Sequence, residues 1–483
     1  MLFNSYVFVL LFLPLCVLLY FCLNRFGRAA ANVFLFAASL VFYGYFHPAY
    51  LAIICSSIVI NYLLCAWMRK TGQGSARKGI LILGILVNLG ILGYFKYADF
   101  FLSNVNAIFG TNAPLLHVAL PLGISFFTFQ QLSFVIDTYK EKATKTDFLS
   151  YACYVSFFPQ LVAGPIVTQD EFLPQFQEEE KRKVNWDNLA SGIYLFVLGL
   201  AKKIMIADVF GLVVETGYGV IGDLNAPSAW FLIFSYTMQI YFDFSGYCDM
   251  AMGIGKMFNI ELPVNFNSPY KATSISDFWS RWHITLTRFF TRYVYIPLGG
   301  NRKGMARTCL NVMIIFLLSG LWHGANWTFV FWGACHGLLM VLTRIFEKPL
   351  EKVPKLVRGV TTFLVVNVLW VFFRANDFAQ AFALLKQACV GGLGGLPYYF
   401  TACFKLPGMD LIIDRVPGGN LLPLACTVLF VAFTVFVTFF TKNARERVLS
   451  GKLTAVKAVF AAVLLVWCVL SFEKVSAFLY FNF

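Results

Sequence analysis

The chain has 483 residues, of which 59% are apolar and only 13% charged, with 54 Phe, 22 Tyr and 10 Trp. Soluble proteins carry roughly a quarter charged residues, and one of this length would divide into domains with charged surfaces. The composition therefore excludes a soluble multidomain protein and a disordered chain alike, and leaves an integral membrane protein whose surface is covered by lipid. The 38 basic against 24 acidic residues give +14. In a membrane protein that excess belongs to cytoplasmic loops and anionic headgroups. Membrane lipid is thus an expected partner; with no motif for it, nucleic acid is not.

Taken in order, stretches of mostly apolar residues long enough to cross or enter a bilayer run 6–23, 30–46, 50–67, 80–94, 115–136, 148–163, 189–201, 230–244, 311–321, 327–345, 361–373, 421–440 and 456–471. The first has neither a basic leader nor a small-residue cleavage site and reads as a retained helix. Several spans are short, which predicts tilted, broken or re-entrant helices within an all-α polytopic bundle of about 11–13 helices, one multi-span domain over 1–483 in the cell membrane.

Basic residues set the orientation. Arg25 and Arg28, then Arg69, Lys70, Arg77 and Lys78, then Lys140, Lys142 and Lys145 mark cytoplasmic loops; the turns at His47–Pro48 and 111–116 lack Lys and Arg and should be external. The polar stretch 164–186 is a surface loop. Within the basic stretch 256–307, residues 275–290 read as one amphipathic helix with Phe278, Trp282, Leu286 and Phe289 on its apolar stripe and Arg281, Arg288 and Arg292 on another side. Such a helix is expected along the cytoplasmic interface. Residues 374–420, rich in Gly and Pro, read as a long external loop, and 442–452 as a last cytoplasmic one. No internal repeat is evident, which argues against an inverted-repeat transporter.

Twelve cysteines, none in a C-x-x-C pair and most in apolar runs, read as small buried hydrophobes and not as a zinc site. Cys389 and Cys403 share the external loop and are the pair for which one bridge is considered. No metal-ligand cluster, Walker motif or G-x-S-x-G elbow occurs. Of the five histidines, His47 and His117 sit at turns and read as interfacial, and His336 as structural or supporting. His283 falls at the edge of the amphipathic stripe, where a headgroup-level residue is the simplest reading. His323 lies in Gly320-Leu-Trp-His-Gly-Ala-Asn-Trp, and a helix from Arg307 would carry it about 24 Å into the bilayer. There, Trp322 and Trp327 could wall a cavity, and a shielded imidazole could take a proton from a hydroxyl; the alternative is a structural histidine that donates to a backbone carbonyl across a helix contact. Asp243 and Asp249 are expected to pair with arginines of the basic helix.

Five ordered motifs carry a resemblance. Phe242-Asp-Phe-Ser-Gly-Tyr-Cys-Asp-Met-Ala-Met-Gly, Asn265-Phe-Asn-Ser-Pro-Tyr, Asp277-Phe-Trp-Ser-Arg-Trp-His-Ile-Thr-Leu-Thr-Arg-Phe, Tyr295-Ile-Pro-Leu-Gly-Gly-Asn-Arg-Lys-Gly and Gly320-Leu-Trp-His-Gly-Ala-Asn-Trp resemble the membrane-bound O-acyltransferases, densely over 95–345 and in the manner of the alginate O-acetyltransferase membrane subunits. Pro159-Gln-Leu-Val-Ala-Gly-Pro-Ile and the closing Phe478-Leu-Tyr-Phe-Asn-Phe fit as well.

The resemblance implies funnels from both membrane faces that meet at a tunnel. It implies a catalytic role for His323, with His283 as the second catalytic candidate near the cytoplasmic funnel. It further implies transfer of an acetyl group from a cytoplasmic donor, acetyl-CoA or a carrier-protein thioester used as co-substrate and not as a tightly bound cofactor, to hydroxyls of an extracytoplasmic polysaccharide. A separate periplasmic or extracellular acetyltransferase is an expected partner. Arg281, Arg288 and Lys303 are the candidates to hold the anionic donor. D-Alanyl transfer to teichoic acid and peptidoglycan O-acetylation are alternatives on the same residues; a polymer exporter is a more distant one.

Overall fold

The computed structural model describes residues 1–406, 409, 413, 421–449, 454–472 and 478–479, and all regular structure among them is helical. Among the described residues, seven helices are long and apolar enough to cross a membrane: Val7–Asn24, Ala49–Lys70, Ser75–Phe109, Gly304–His323, Trp327–Ile345, Lys355–Arg374 and Leu422–Phe440. Arg28–Gly44, Phe378–Val390 and Ala455–Leu470 are shorter apolar helices. Large side chains such as Leu18, Leu63, Phe101, Leu429 and Val463 stand exposed on them. These form the surface that lipid covers, since no other solvent would tolerate so much uncovered hydrocarbon.

Three segments differ from the sequence expectation. The 115–136 stretch is helical only from Ile124, in Ile124–Tyr139, and is preceded by irregular chain over 110–121. Gly110 (φ 63°) and Gly123 (φ 72°) bracket that strap in the left-handed region, and a Cβ at Gly123 would meet the Leu161 carbonyl oxygen at 2.7 Å. The 148–163 span breaks after Phe148–Ser156, just ahead of Pro159. The 374–420 stretch is no simple loop: it contains Phe378–Val390, started by the Asp377 carboxylate on the Gln380 N–H. Its Pro417–Gly419 turn lies outside the described residues, as do 450–453 of the last basic loop and 480–483 of the closing motif.

The predicted cytoplasmic loops meet on one face. Arg28 donates to Ser150 Oγ (3.0 Å), Arg69 to the Thr144 carbonyl (3.1 Å) and Arg77 to Glu141 (2.7 Å). Gln169 of the polar 164–186 stretch donates to the Lys142 carbonyl (3.2 Å), and Lys271 to that of Thr441 (2.7 Å). The opposite face gathers the segments without basic charge: Asp99 accepts from the Leu116 and His117 N–H groups, Asn326 donates to the Asn376 carbonyl, and Ala226 N–H to that of Gly392. The alternation read from charge is therefore a real sidedness of the bundle.

Its centre is the 32-residue Ala226–Met257 helix, buried along most of its length and crossed closely by Trp186–Ala201. The crossing is made by glycines. A Cβ on Gly192 would lie 2.6 Å from the Gly253 oxygen, and one on Gly199 2.6 Å from the Gly246 oxygen. That approach carries the π-helical turn Lys202–Ala207 onto the acids of the long helix. Lys202 pairs with Asp249 (2.5 Å), and Lys203 with both Asp243 and Asp208 (2.7 Å each). The expected arginine partners of Asp243 and Asp249 are thus replaced by neighbouring lysines, because the glycine crossing, invisible to a search for charge patterns, decides which cations come within reach. Asp243 also accepts from the Leu479 N–H (3.1 Å), which ties the C-terminal tail to this cluster.

Candidate active site

The predicted amphipathic helix over 275–290 is two helices, Ile275–Arg281 and Ile284–Phe290, and they are packed inside the protein rather than along its interface. Phe278, Trp282 and Leu286 are each 1% exposed. The break lies at Trp282–His283, with His283 at φ 46°, a left-handed conformation uncommon for a side chain of this size. The Asn265 motif makes the break affordable. Asn267 N–H donates to the Arg281 carbonyl (2.9 Å), and Ile284 N–H donates to the Asn265 carbonyl (3.0 Å). The backbone groups that the helix gives up are taken by this extended segment.

Asn265 also fixes the imidazole. Its Oδ1 accepts from Thr285 N–H (3.2 Å) and Thr285 Oγ1 (2.9 Å), while its Nδ2 faces Cys248 Sγ (3.3 Å). A backbone N–H can only donate, so the atom 3.1 Å from His283 Nδ1 is an acceptor. Nδ1 therefore carries the hydrogen, and Nε2 is the ring's basic nitrogen. His283 is fully buried, which corrects the headgroup-level reading.

His323 is the last residue of Gly304–His323 and is 2% exposed. Its ring centroid lies 6.2 Å from that of His283, and Trp322, Trp332 and Phe373 surround it at 4.9, 5.3 and 5.1 Å. The two imidazoles singled out from sequence are thus brought together in one aromatic chamber. Trp322 is a wall of it, stacked on Phe129. Trp327 is not: it is 54% exposed, and its indole N–H donates to Asn104. Trp332, overlooked in the sequence, takes that place. His336 stands behind Trp332 and accepts from Trp279 Nε1 (3.2 Å), a supporting position.

The chamber adjoins the outer face. A cavity of about 30 Å³ touches His323, Trp322, Ser125 and Lys96. A second, of about 320 Å³, shares Lys96 and Leu120 with it and is lined further by Asp99, Ala325 and Asn326, on the face without basic loops. On the inner side, the space beside Asn265, between Lys202, Asp249 and Asn443, measures about 10 Å³. A cavity of about 1090 Å³ between Leu13–Asn24 and Trp186–Ala201 touches neither histidine; it is lined mostly by apolar side chains and lies apart from the aromatic chamber.

The three cations predicted to hold a donor do not converge on the histidines. Arg281 donates to Asp277 (2.6 Å), and Arg288 grips both oxygens of Glu171 (2.5 and 2.7 Å), whose carboxylate also caps Gln169–Gln177. Lys303 stands exposed at the start of Gly304–His323. Cys389 and Cys403 are both free thiols, without the bridge considered from sequence.

Lys96, which lines the cavity beside His323, was also missed by sequence reading. The 80–94 span stops two residues short of it, whereas the helix continues to Phe109 through the π-helical turn Gly93–Tyr97. A lone cation among Tyr94, Phe95 and Tyr97 was the available signal, since charge inside a membrane helix marks function by default.

The family profile for the membrane-bound O-acyltransferases matches residues 79–374. The chain is 38% identical to the peptidoglycan O-acetyltransferase of Helicobacter pylori over all of its length and 98% of that protein's. It is 39% identical to a probable alginate O-acetylase of Azotobacter vinelandii over 80% of this chain and 77% of the other. A teichoic acid D-alanyltransferase of Bacillus subtilis is 28% identical over 47% of this chain and 60% of its own length. With two buried histidines in an aromatic chamber, a sided helical bundle and these relationships, the chain belongs to the membrane-bound O-acyltransferase family and is a multi-pass membrane O-acyltransferase.

Proposed function

We propose that the protein moves an acetyl group from a thioester donor on the cytoplasmic face to a hydroxyl of an extracytoplasmic polysaccharide, with His323 as general base. The observation that carries this reading is that His323 lines the small cavity next to the outer vestibule while standing 6.2 Å from the second imidazole on its inner side. The acceptor hydroxyl enters from the vestibule and gives its proton to His323. Its oxygen bonds to the acetyl carbon, the carbon–sulfur bond breaks, and the thiolate leaves inward and takes the proton. His283, with its hydrogen on Nδ1, offers Nε2 to the donor side of the chamber. General-base help of this kind contributes roughly 10²–10⁴ in rate.

The donor is acetyl-CoA or an acetylated carrier protein. Arg281 and Arg288 already hold carboxylates, so Lys303, exposed on the basic face, is the cation of the three best placed to meet its phosphates. A periplasmic or extracellular acetyltransferase is the partner expected to work on the same polymer beside it.

A second reading narrows the acceptor. The correspondence with a peptidoglycan O-acetyltransferase at 38% identity over the whole chain, against 39% over 80% of it and 33% over 95% of it for two alginate relatives, favours the glycan strands of peptidoglycan over an exopolysaccharide. Ester analysis of each polymer from cells with and without the gene tests both. The His323→Ala variant, present in the membrane at normal abundance, is expected to leave the acceptor unacetylated; acetyl ester at the unmutated level would refute the role of His323.

A further inference from the structure

The helix that carries His323 ends inside the protein, and its end poses a problem of unpaired carbonyls. The final four belong to Gly320, Leu321, Trp322 and His323. Gly324 N–H donates to the first (3.3 Å). Tyr97 Oη donates to the second (2.9 Å), and Lys96 Nζ donates to the third (2.6 Å) and fourth (3.2 Å). Three of the four are thus held by two consecutive residues of one turn, Gly93–Tyr97, which is π-helical. The extra residue in such a turn interrupts the regular register and is a recurrent device at functional sites. Lys96 Nζ also reaches Ser125 Oγ (3.4 Å) and lies 5.8 Å from the centre of the Trp322 ring. An ammonium at the negative end of the helix dipole is favourably placed.

The ammonium borders both the cavity beside His323 and the outer vestibule. It therefore stands where the acceptor passes, bonded to the backbone of the residue that activates it. We infer that Lys96 is a positioning residue for acyl transfer: by clamping the Trp322 and His323 carbonyls it fixes the terminal turn, and so the angle at which the His323 imidazole meets an incoming hydroxyl. The inference rests on the role given to His323 above. A base displaced by about 1 Å can lose roughly 10²-fold in rate while donor binding is untouched.

The experiment compares Lys96→Met, Lys96→Gln, Lys96→Arg, Tyr97→Phe and His323→Ala in the full chain in membrane vesicles, with acetyl-CoA as donor and polymer-bound acetyl as readout. Lys96→Met is expected to lower kcat roughly 10²-fold with the donor KM within about twofold, at unmutated abundance and thermal midpoint. Lys96→Arg, which keeps charge and donors, should recover part of the rate. Tyr97→Phe should cost less than Lys96→Met. If Lys96→Met does not accumulate, Lys96→Gln, which lacks the charge and the reach of lysine, carries the same kcat test. Unchanged kcat in the folded variant overturns the inference, and so does a loss that merely tracks abundance and is not relieved by arginine. An inactive His323→Ala beside a fully active Lys96→Met overturns the clamp alone; an active His323→Ala overturns the reading of His323 itself.

Discussion

The chemistry of the chamber turns on how single polar atoms are occupied. Asn265 Oδ1 is shared by His283 Nδ1 and by the N–H and hydroxyl of Thr285, and the Asn265 backbone holds the end of the helix break. Asn265→Ala removes an acceptor from three buried donors at once. It should lower the unfolding free energy by about 1–3 kcal/mol, the cost of orphaning such a group, and lower turnover because the His283 tautomer is no longer imposed. Thermal unfolding and acetyl transfer measured on the same preparation check both effects. Stability and turnover at the unmutated level would show that the tautomer is set by other means. Arg288 makes a contrast: charge reversal there confronts Glu171 directly, so its expected consequence is loosened contact between Gln169–Gln177 and Ile284–Phe290, visible as lower stability before any change in donor requirement.

Helical elements place these atoms through close crossings more than through charge. Gly253 packs against Trp186–Ala201 so tightly that a Cβ would lie 2.6 Å from the Gly192 oxygen and 2.7 Å from Phe196 N. Gly253→Val is expected to part the two helices and break the lysine–aspartate cluster beyond them. Removing one partner, as in Asp243→Ala, leaves buried Lys203 with Asp208 but orphans the Leu479 N–H and should cost about 1–3 kcal/mol, read as a lowered thermal midpoint in detergent; an unchanged midpoint would mean Asp243 contributes nothing to the fold. The Gly304–His323 and Trp327–Ile345 pair follows the same rule. A Cβ on Gly320 would run into the Phe329 oxygen and one on Gly333 into the Phe316 oxygen, so these glycines, one of them next to the W-H-G motif, hold a helical hairpin. Among the described residues, three of the four π-helical turns, at Lys96, at Lys202 and Lys203 and at Arg292, carry cations that reach buried carbonyls or carboxylates. Apolar periodicity registers such turns only as uninterrupted helix.

At the scale of the whole molecule, composition was sufficient for the fold class and loop charge for the sidedness, because both depend on sums over many residues and tolerate local error. The pairing of His283 and His323 was legible through their motifs, not through spacing, since forty residues of chain separate them. Two features were not legible. The helix break at His283 depends on the distant Asn265 segment supplying backbone partners, while the apolar stripe of 275–290 is equally compatible with one straight helix. The clamp by Lys96 depends on where a second helix happens to end. Both are tertiary contacts that override local pattern, and both fall at the site, where local rules are most often broken for function.

The account stands on acyl transfer from one face of the bundle to the other through the His323 chamber. Its most direct test uses inverted and right-side-out membrane vesicles supplied with labelled acetyl-CoA from outside, with acetyl ester counted on polymer in each compartment. Label on polymer enclosed in inverted vesicles, absent from right-side-out vesicles and abolished by His323→Ala, is the predicted result; equal labelling in the two orientations, or labelling that survives His323→Ala, would contradict it.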